Sequence, residues 1–142
     1  ILDRGVLKTY LLDSYSARKL GMQSTGSAAR GAAGSPSPSA TNLWLEPGSL
    51  SPETIVASTP RGLYVTELIG QGFNPVTGDY SRGASGIWIE NGELAFPVEE
   101  ITIAGNLGAM LKDIDAVGND LLWLGSAAAP TLRISRMTIA GS

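Results

Sequence analysis

The strongest constraint in this sequence is the dipeptide Asn91-Gly92 between two short apolar alternating runs, Gly86–Glu90 and Glu93–Pro97. Both turn residues tolerate positive φ, and a type I′ turn matches the twist of paired strands, so the pattern predicts a β-hairpin. The hairpin belongs to a longer stretch, Gly70–Gly105, which opens with a glycine-rich segment, Gly70-Gln71-Gly72-Phe73-Asn74-Pro75. The polar run Thr77–Gly83 follows and reads as a loop presented by the hairpin. On each side the chain is rich in strand formers: Leu63–Ile69 before it and Ile101–Ile103 after it.

The rest of the chain predicts short elements of mixed type. Val6–Leu12 reads as a strand. Asp13 can cap a short helix to Leu20, with Tyr15 and Leu20 turned inward, Arg18 and Lys19 in the last turn and Gly21 as its stop. Ser24–Thr41 is a Gly/Ala/Ser/Pro-rich segment with too little apolar surface to offset ordering, and reads as a flexible loop. Asn42–Glu46 is a short strand. Ser51-Pro52-Glu53 marks a helix start, with a helix to about Ser58. Asn106 opens a further helix in which Leu107, Met110, Leu111 and Ile114 share one face. Short strands at Leu121–Leu124, Thr131–Ser135 and Met137–Ala140 complete the chain. Strands outnumber helices without regular alternation, so the fold class is α+β, a mainly antiparallel β-sheet with a few short helices.

Composition narrows the chemistry. At 142 residues and 43% hydrophobic content, the chain suits one domain with a core. Charged residues make up only 16%, which suggests surface hidden against a partner or further sequence. A net charge of −3 with no Lys/Arg run argues against nucleic acid or an anionic membrane as a partner. Cysteine and histidine are both absent, removing thiolate and imidazole ligands and the commonest general base. The chain starts mid-pattern at Ile1-Leu2-Asp3-Arg4-Gly5 and reads as a fragment.

Each candidate for chemistry has a plainer alternative. Gly70-Gln71-Gly72 lacks the following helix that a phosphate loop needs. Ser81 and Ser85 would need a base that no histidine supplies. Asp79 and Arg82 are expected to pair or to bond backbone and so shape the loop. Glu99 and Glu100 alternate along a strand and cannot form an acid/base pair by adjacency. Asp113, Asp115 and Asp120 lack calcium-loop spacing and read as a solvated face. Trp44, Trp88 and Trp123 sit in apolar runs and are expected in the core.

Asn74–Gly86, Trp88–Gly92 and Pro97–Asn106 together resemble the C-terminal part of the TldD/PmbA family, most closely its PmbA (TldE) branch, once called "modulator of DNA gyrase". Ala17–Gly21 followed by Ser24-Thr25-Gly26, the Arg61–Val65 strand and Val117–Leu121 add to it. The resemblance spans nearly the whole chain, least at Ala32–Ser39, and implies a single domain from a longer PmbA/TldE-like chain. It further implies a cytoplasmic two-subunit metalloprotease in which TldD-like and PmbA-like subunits, or two copies, pair and process small unfolded peptides. Zinc is then expected only in the TldD-like partner, whose ligands include histidines on an upstream helix and a cysteine near the matching hairpin. Here Ser81–Ser85 stand at that approach, so no metal or catalytic residue carries over. Asn74, Thr77, Asp79, Tyr80 and Arg82 are the expected substrate or interface residues. The alternative is a non-enzymatic binding or scaffold domain, such as a homodimeric adaptor or a gyrase-linked regulator.

Overall fold

The computed structural model describes residues 1–141. In chain order the elements are β1 (Leu2–Asp3), β2 (Val6–Leu7), α1 (Ser14–Leu20), β3 (Ala28–Ala29), β4 (Ser37–Pro38), β5 (Leu43–Trp44), α2 (Pro52–Ala57) and β6 (Arg61–Ile69). They continue as β7 (Asp79–Glu90), β8 (Glu93–Asn106), α3 (Leu107–Lys112), β9 (Ile114–Val117), β10 (Leu122–Leu124), β11 (Ala127–Ala129), β12 (Leu132–Ile134) and β13 (Thr138–Ala140). The expected class holds: mainly antiparallel β-structure with short helices. The residues gather into two compact units, Ile1–Trp44 with Trp123–Ala128, and Leu45–Leu122 with the chain from Ala129 onward.

In the first unit α1 forms where its caps predict. Asp13 and Ser16 close a reciprocal capping box, with the Ser16 amide donating to Asp13 Oδ1 at 2.7 Å and the Asp13 amide donating to Ser16 Oγ at 3.0 Å. Gly21 ends the helix at φ 64°. The inward face differs from the expected one. Tyr15 and Leu20 are exposed and Ala17 is buried, because a helix of seven residues touches its neighbours along one narrow stripe. Val6–Leu12 is strand only at β2, which pairs with β1. Past it the Lys8 amide bonds the Ile1 carbonyl at 2.8 Å, and Leu12 is held by side chains: its amide donates to Thr25 Oγ1 at 2.7 Å, and its carbonyl accepts from Ser24 Oγ at 3.1 Å. The Ser24–Thr41 segment is not a structureless loop. β3 and β4 pair antiparallel within it, Ala28 opposite Pro38. Trp44 and Trp123 lie 6.1 Å apart and about half exposed, so they form a surface pair and not a core.

In the second unit four antiparallel strands run in the order β13-β8-β7-β6. The Asn91-Gly92 hairpin is present, with φ 52° and 81°, but its strands are longer than expected: β7 begins at Asp79 and β8 ends at Asn106. Its tip is docked. The Asn91 amide donates to Pro60 O at 2.7 Å and the Gly92 amide to Thr59 O at 3.1 Å. A side chain at Gly92 would run into the carbonyl of Ala57, so glycine is required twice there, by space and by φ. The core of this unit includes the buried Ile55 of α2, Ala84 and Ile89 of β7, Ile103 of β8 and Ala116 of β9. Thr102–Gly105 and Thr138–Gly141 share the sequence Thr-Ile-Ala-Gly, and their strands meet in this sheet: Thr138 pairs with Ala104, Ile139 with Ile103 and Ala140 with Thr102.

Two further readings change. α3 stops at Lys112 and buries none of its residues, and Ile114 belongs to β9, because Asp113 caps the helix and Ile114 pairs with Ile134 of β12. Trp88 is partly exposed beneath Arg61, whose guanidinium carbon lies 5.4 Å from the ring centroid.

Candidate functional site: a side-chain-clamped turn

The five expected site residues lie at the end of β7 remote from Asn91-Gly92. Asp79, Tyr80 and Arg82 were expected in a loop, but the structure puts them on β7, paired with Asn106, Gly105 and Ile103 of β8. Asn74 and Thr77 lie in a tight turn that closes a second hairpin. The approach to it continues the pairing of β6 with β7: the Ser81 amide donates to Gly72 O at 2.7 Å and the Asn74 amide to Asp79 O at 2.9 Å. Gly72 lies so close to the Ser81 carbonyl that no side chain fits between them. This is why Gly70-Gln71-Gly72 looks like a phosphate loop in sequence and is a strand crossing in space.

Side chains hold the turn. Asn74 Oδ1 accepts from the Val76 amide at 2.9 Å, and Thr77 Oγ1 donates to Asp79 Oδ2 at 2.7 Å. Asn106 reaches in from the end of β8, its Nδ2 donating to Thr77 O at 3.0 Å while its Oδ1 accepts from Gly108 at 3.1 Å. The Leu107 amide donates to Gly78 O at 2.8 Å, so the start of α3 is tied to the turn. Asn106, expected only as a helix cap, is thus the site residue that sequence reasoning missed. Its position immediately before a helical pattern gave its capping role; nothing nearby in sequence pointed to Thr77.

Arg82 and Asp79 make no ion pair with each other among the described residues. Arg82 Nη2 donates to Leu68 O at 3.2 Å, and Arg82 Nε is shielded from solvent without a partner. The tip is apolar and prominent: Val76 is 92% exposed and Phe73 49%. Ser81 is exposed beside the same turn, and no imidazole exists to activate it.

Asp115 and Asp120, expected on a solvated face, are exposed as expected and also bond within the fold. Asp115 Oδ1 takes Arg133 Nε at 2.8 Å, which holds its carboxyl below the usual range. Asp120 accepts from the Thr131 hydroxyl at 2.7 Å and the Thr131 amide at 2.9 Å, and these lower its pKa in the same way. Glu99 and Glu100 are both exposed at a bulge, where Glu100 has φ 54° and simple strand alternation fails.

The described residues bring together no three His, Cys, Asp or Glu side chains that could hold a metal. The donors at the turn do not suit zinc: the chain offers neither imidazole nor thiolate, and the Asp79 carboxylate is taken by Thr77.

Residues 1–141 match the family described as PmbA/TldA metallopeptidase C-terminal domain. This chain belongs to the PmbA/TldD family. It is 46% identical over 142 residues to metalloprotease PmbA of Escherichia coli O157:H7, covering 99% of this chain and 29% of that protein. It is 44% identical to the metalloprotease PmbA homolog of Haemophilus influenzae, covering all of this chain and 30% of that protein. The chain therefore spans under a third of these relatives' length. Among solved structures, a Thermotoga maritima protein named as a candidate modulator of a DNA gyrase superposes with a TM-score of 0.86 at 40% identity, over 98% of this chain and 32% of that one. TldE from Thermococcus kodakarensis superposes with a TM-score of 0.85 at 27% identity, over 96% and 32%.

Proposed function

We propose that this chain is part of the non-metal-binding subunit of a cytoplasmic two-subunit metalloprotease that processes small unfolded peptides. A TldD-like partner, or a second copy, would pair with it, and the partner would carry the zinc. The observation that carries the reading is the clamped turn at Asn74–Asp79. It lies within a family of metalloproteases, lacks zinc-type donors, and spends its polar groups on presenting an exposed Val76. An apolar side chain held outward on an ordered turn favours contact with another surface. Asn74, Thr77 and Asp79 would shape that contact, and Tyr80 and Arg82 would flank it on β7.

Among the described residues no helix is long and apolar enough to cross a membrane. Leu43, Trp44, Leu94, Phe96, Trp123 and Leu124 are all well exposed, which also fits a chain built to be covered.

The test is cleavage of an unfolded peptide by the full-length protein with and without a TldD-like partner, and with chelator. Partner-dependent, chelator-sensitive cleavage that falls on substitution of Asp79 and Arg82 is the expected result. Cleavage or pairing indifferent to those substitutions would remove the turn from the account. The naming of the Thermotoga relative favours a second reading, a binding or scaffold protein; binding without any partner-dependent cleavage would support it.

A further inference from the structure

Of the residues of α3 only Leu107 and Met110 are even half-buried, and the others are exposed. A helix this short keeps its place through such contacts and not through its own propensity. Met110 lies over Gly105 of β8, where the strand has no side chain. A Cβ built on Gly105 would stand 3.3 Å from Met110 Cγ, 3.4 Å from its Sδ and 3.9 Å from Met137 Cε. Two methionines thus converge on one gap in the sheet. An unbranched, polarizable thioether is the side chain best suited to fill such a gap.

The gap is connected to the clamped turn. Asn106 follows Gly105 directly, and its Nδ2 donates to Thr77 O at 3.0 Å while its Oδ1 accepts from the Gly108 amide at 3.1 Å. The Leu107 amide donates to Gly78 O at 2.8 Å. The far end of α3 is fastened elsewhere, by the Ser135 amide donating to Asp113 O at 2.8 Å. Loss of the Met110 contact is therefore felt first at the end of α3 that holds the turn. Met110 is only half-buried, so a small oxidant reaches its sulfur. A sulfoxide there would set a polar oxygen against Gly105, which brings no side chain to bond it.

We propose that Met110 is an oxidation-sensitive latch: its thioether holds α3 on Gly105 and so keeps the turn at Asn74–Asp79 ordered, and its sulfoxide releases both. Hydrogen peroxide transfers one oxygen atom to the sulfur. The O–O bond breaks, the sulfur gives up two electrons, and the remaining oxygen leaves as water. Reduction by a methionine sulfoxide reductase reverses the step. The inference concerns the order of the turn and does not rest on what the turn contacts.

The experiment treats the full-length protein with dilute hydrogen peroxide. Peptide mass mapping reads the oxidation, and amide hydrogen exchange reads the order. One added oxygen on Met110 is expected, with exchange about tenfold faster over residues 74–79 and 106–112 and unchanged over residues 88–96. Methionine sulfoxide reductases should restore the slow exchange. Met110→Gln, polar and of similar length, should give the fast exchange without peroxide. Met110→Leu, close to methionine in volume, should keep exchange slow and make it indifferent to peroxide. Four results would each overturn the proposal: an unoxidised Met110, unchanged exchange over residues 74–79 once Met110 is oxidised, an equal peroxide response in Met110→Leu, or equal acceleration over residues 88–96.

Discussion

The two ends of β7 carry two turns built in different ways. At Asn91-Gly92 the backbone does the work: both residues adopt positive φ, and the tip is hydrogen-bonded to Thr59 and Pro60. At Asn74–Asp79 the side chains of Asn74, Thr77, Asp79 and Asn106 hold the chain, and the tip residue Val76 is almost wholly exposed. The first turn is locked into its own fold, so its sequence is dictated by geometry. The second is locked only at its base, which leaves its tip available to another molecule. Stability and presentation are thus divided between the ends of one strand.

Substitutions can break this contrast. Gly92→Val should be the most damaging, because it combines positive φ with a collision at the Ala57 carbonyl; a loss of about 3 kcal/mol is expected in denaturant unfolding. Gly78→Ala, at φ 78° but facing the movable side chain of Asn106, should cost about 1 kcal/mol in the same assay. Equal losses at the two glycines would erase the distinction. Between them falls Arg133→Ala, which frees Asp115, Ser58 and Thr59 near the docked end and should cost about 2 kcal/mol.

Acid should act through the same structural carboxylates. Asp13, Asp115 and Asp120 all have folded pKa values below their usual 3.8, so the unfolded chain binds more protons in acid. Their stabilisation is fully present above the unfolded value and is lost as pH falls through the lower folded values. Urea midpoints should therefore fall between pH 5 and about pH 3, and Asp120→Asn should flatten that slope. The smallest effect on stability is expected at the presented end. Val76→Asp should change unfolding by no more than about 0.5 kcal/mol while weakening association with a TldD-like partner.

The sequence made the docked end legible because its information is local. Asn91-Gly92, the Asp13 cap with its Gly21 stop, and the Ser51-Pro52 helix start each declare themselves within a few residues. The presented end draws on partners far apart in the chain. Asn106 bonds Thr77 across 29 positions, and Gly72 meets Ser81 only after the chain has turned back on itself. The tryptophans misled for a related reason. Apolar patterning reports a tendency to be covered, and Trp44 and Trp123 remain half exposed within this chain. The paired Thr-Ile-Ala-Gly segments show the reverse case: a four-residue match carries little meaning along the chain, yet its two copies lie in neighbouring strands of one sheet.

The division of labour along β7 is tested most directly by amide hydrogen exchange on the full-length protein, alone and with a TldD-like partner. New protection over residues 72–82, with exchange over residues 88–96 unchanged, is the expected result. Protection confined to the Asn91-Gly92 end, or none over residues 72–82 in a formed complex, would contradict it.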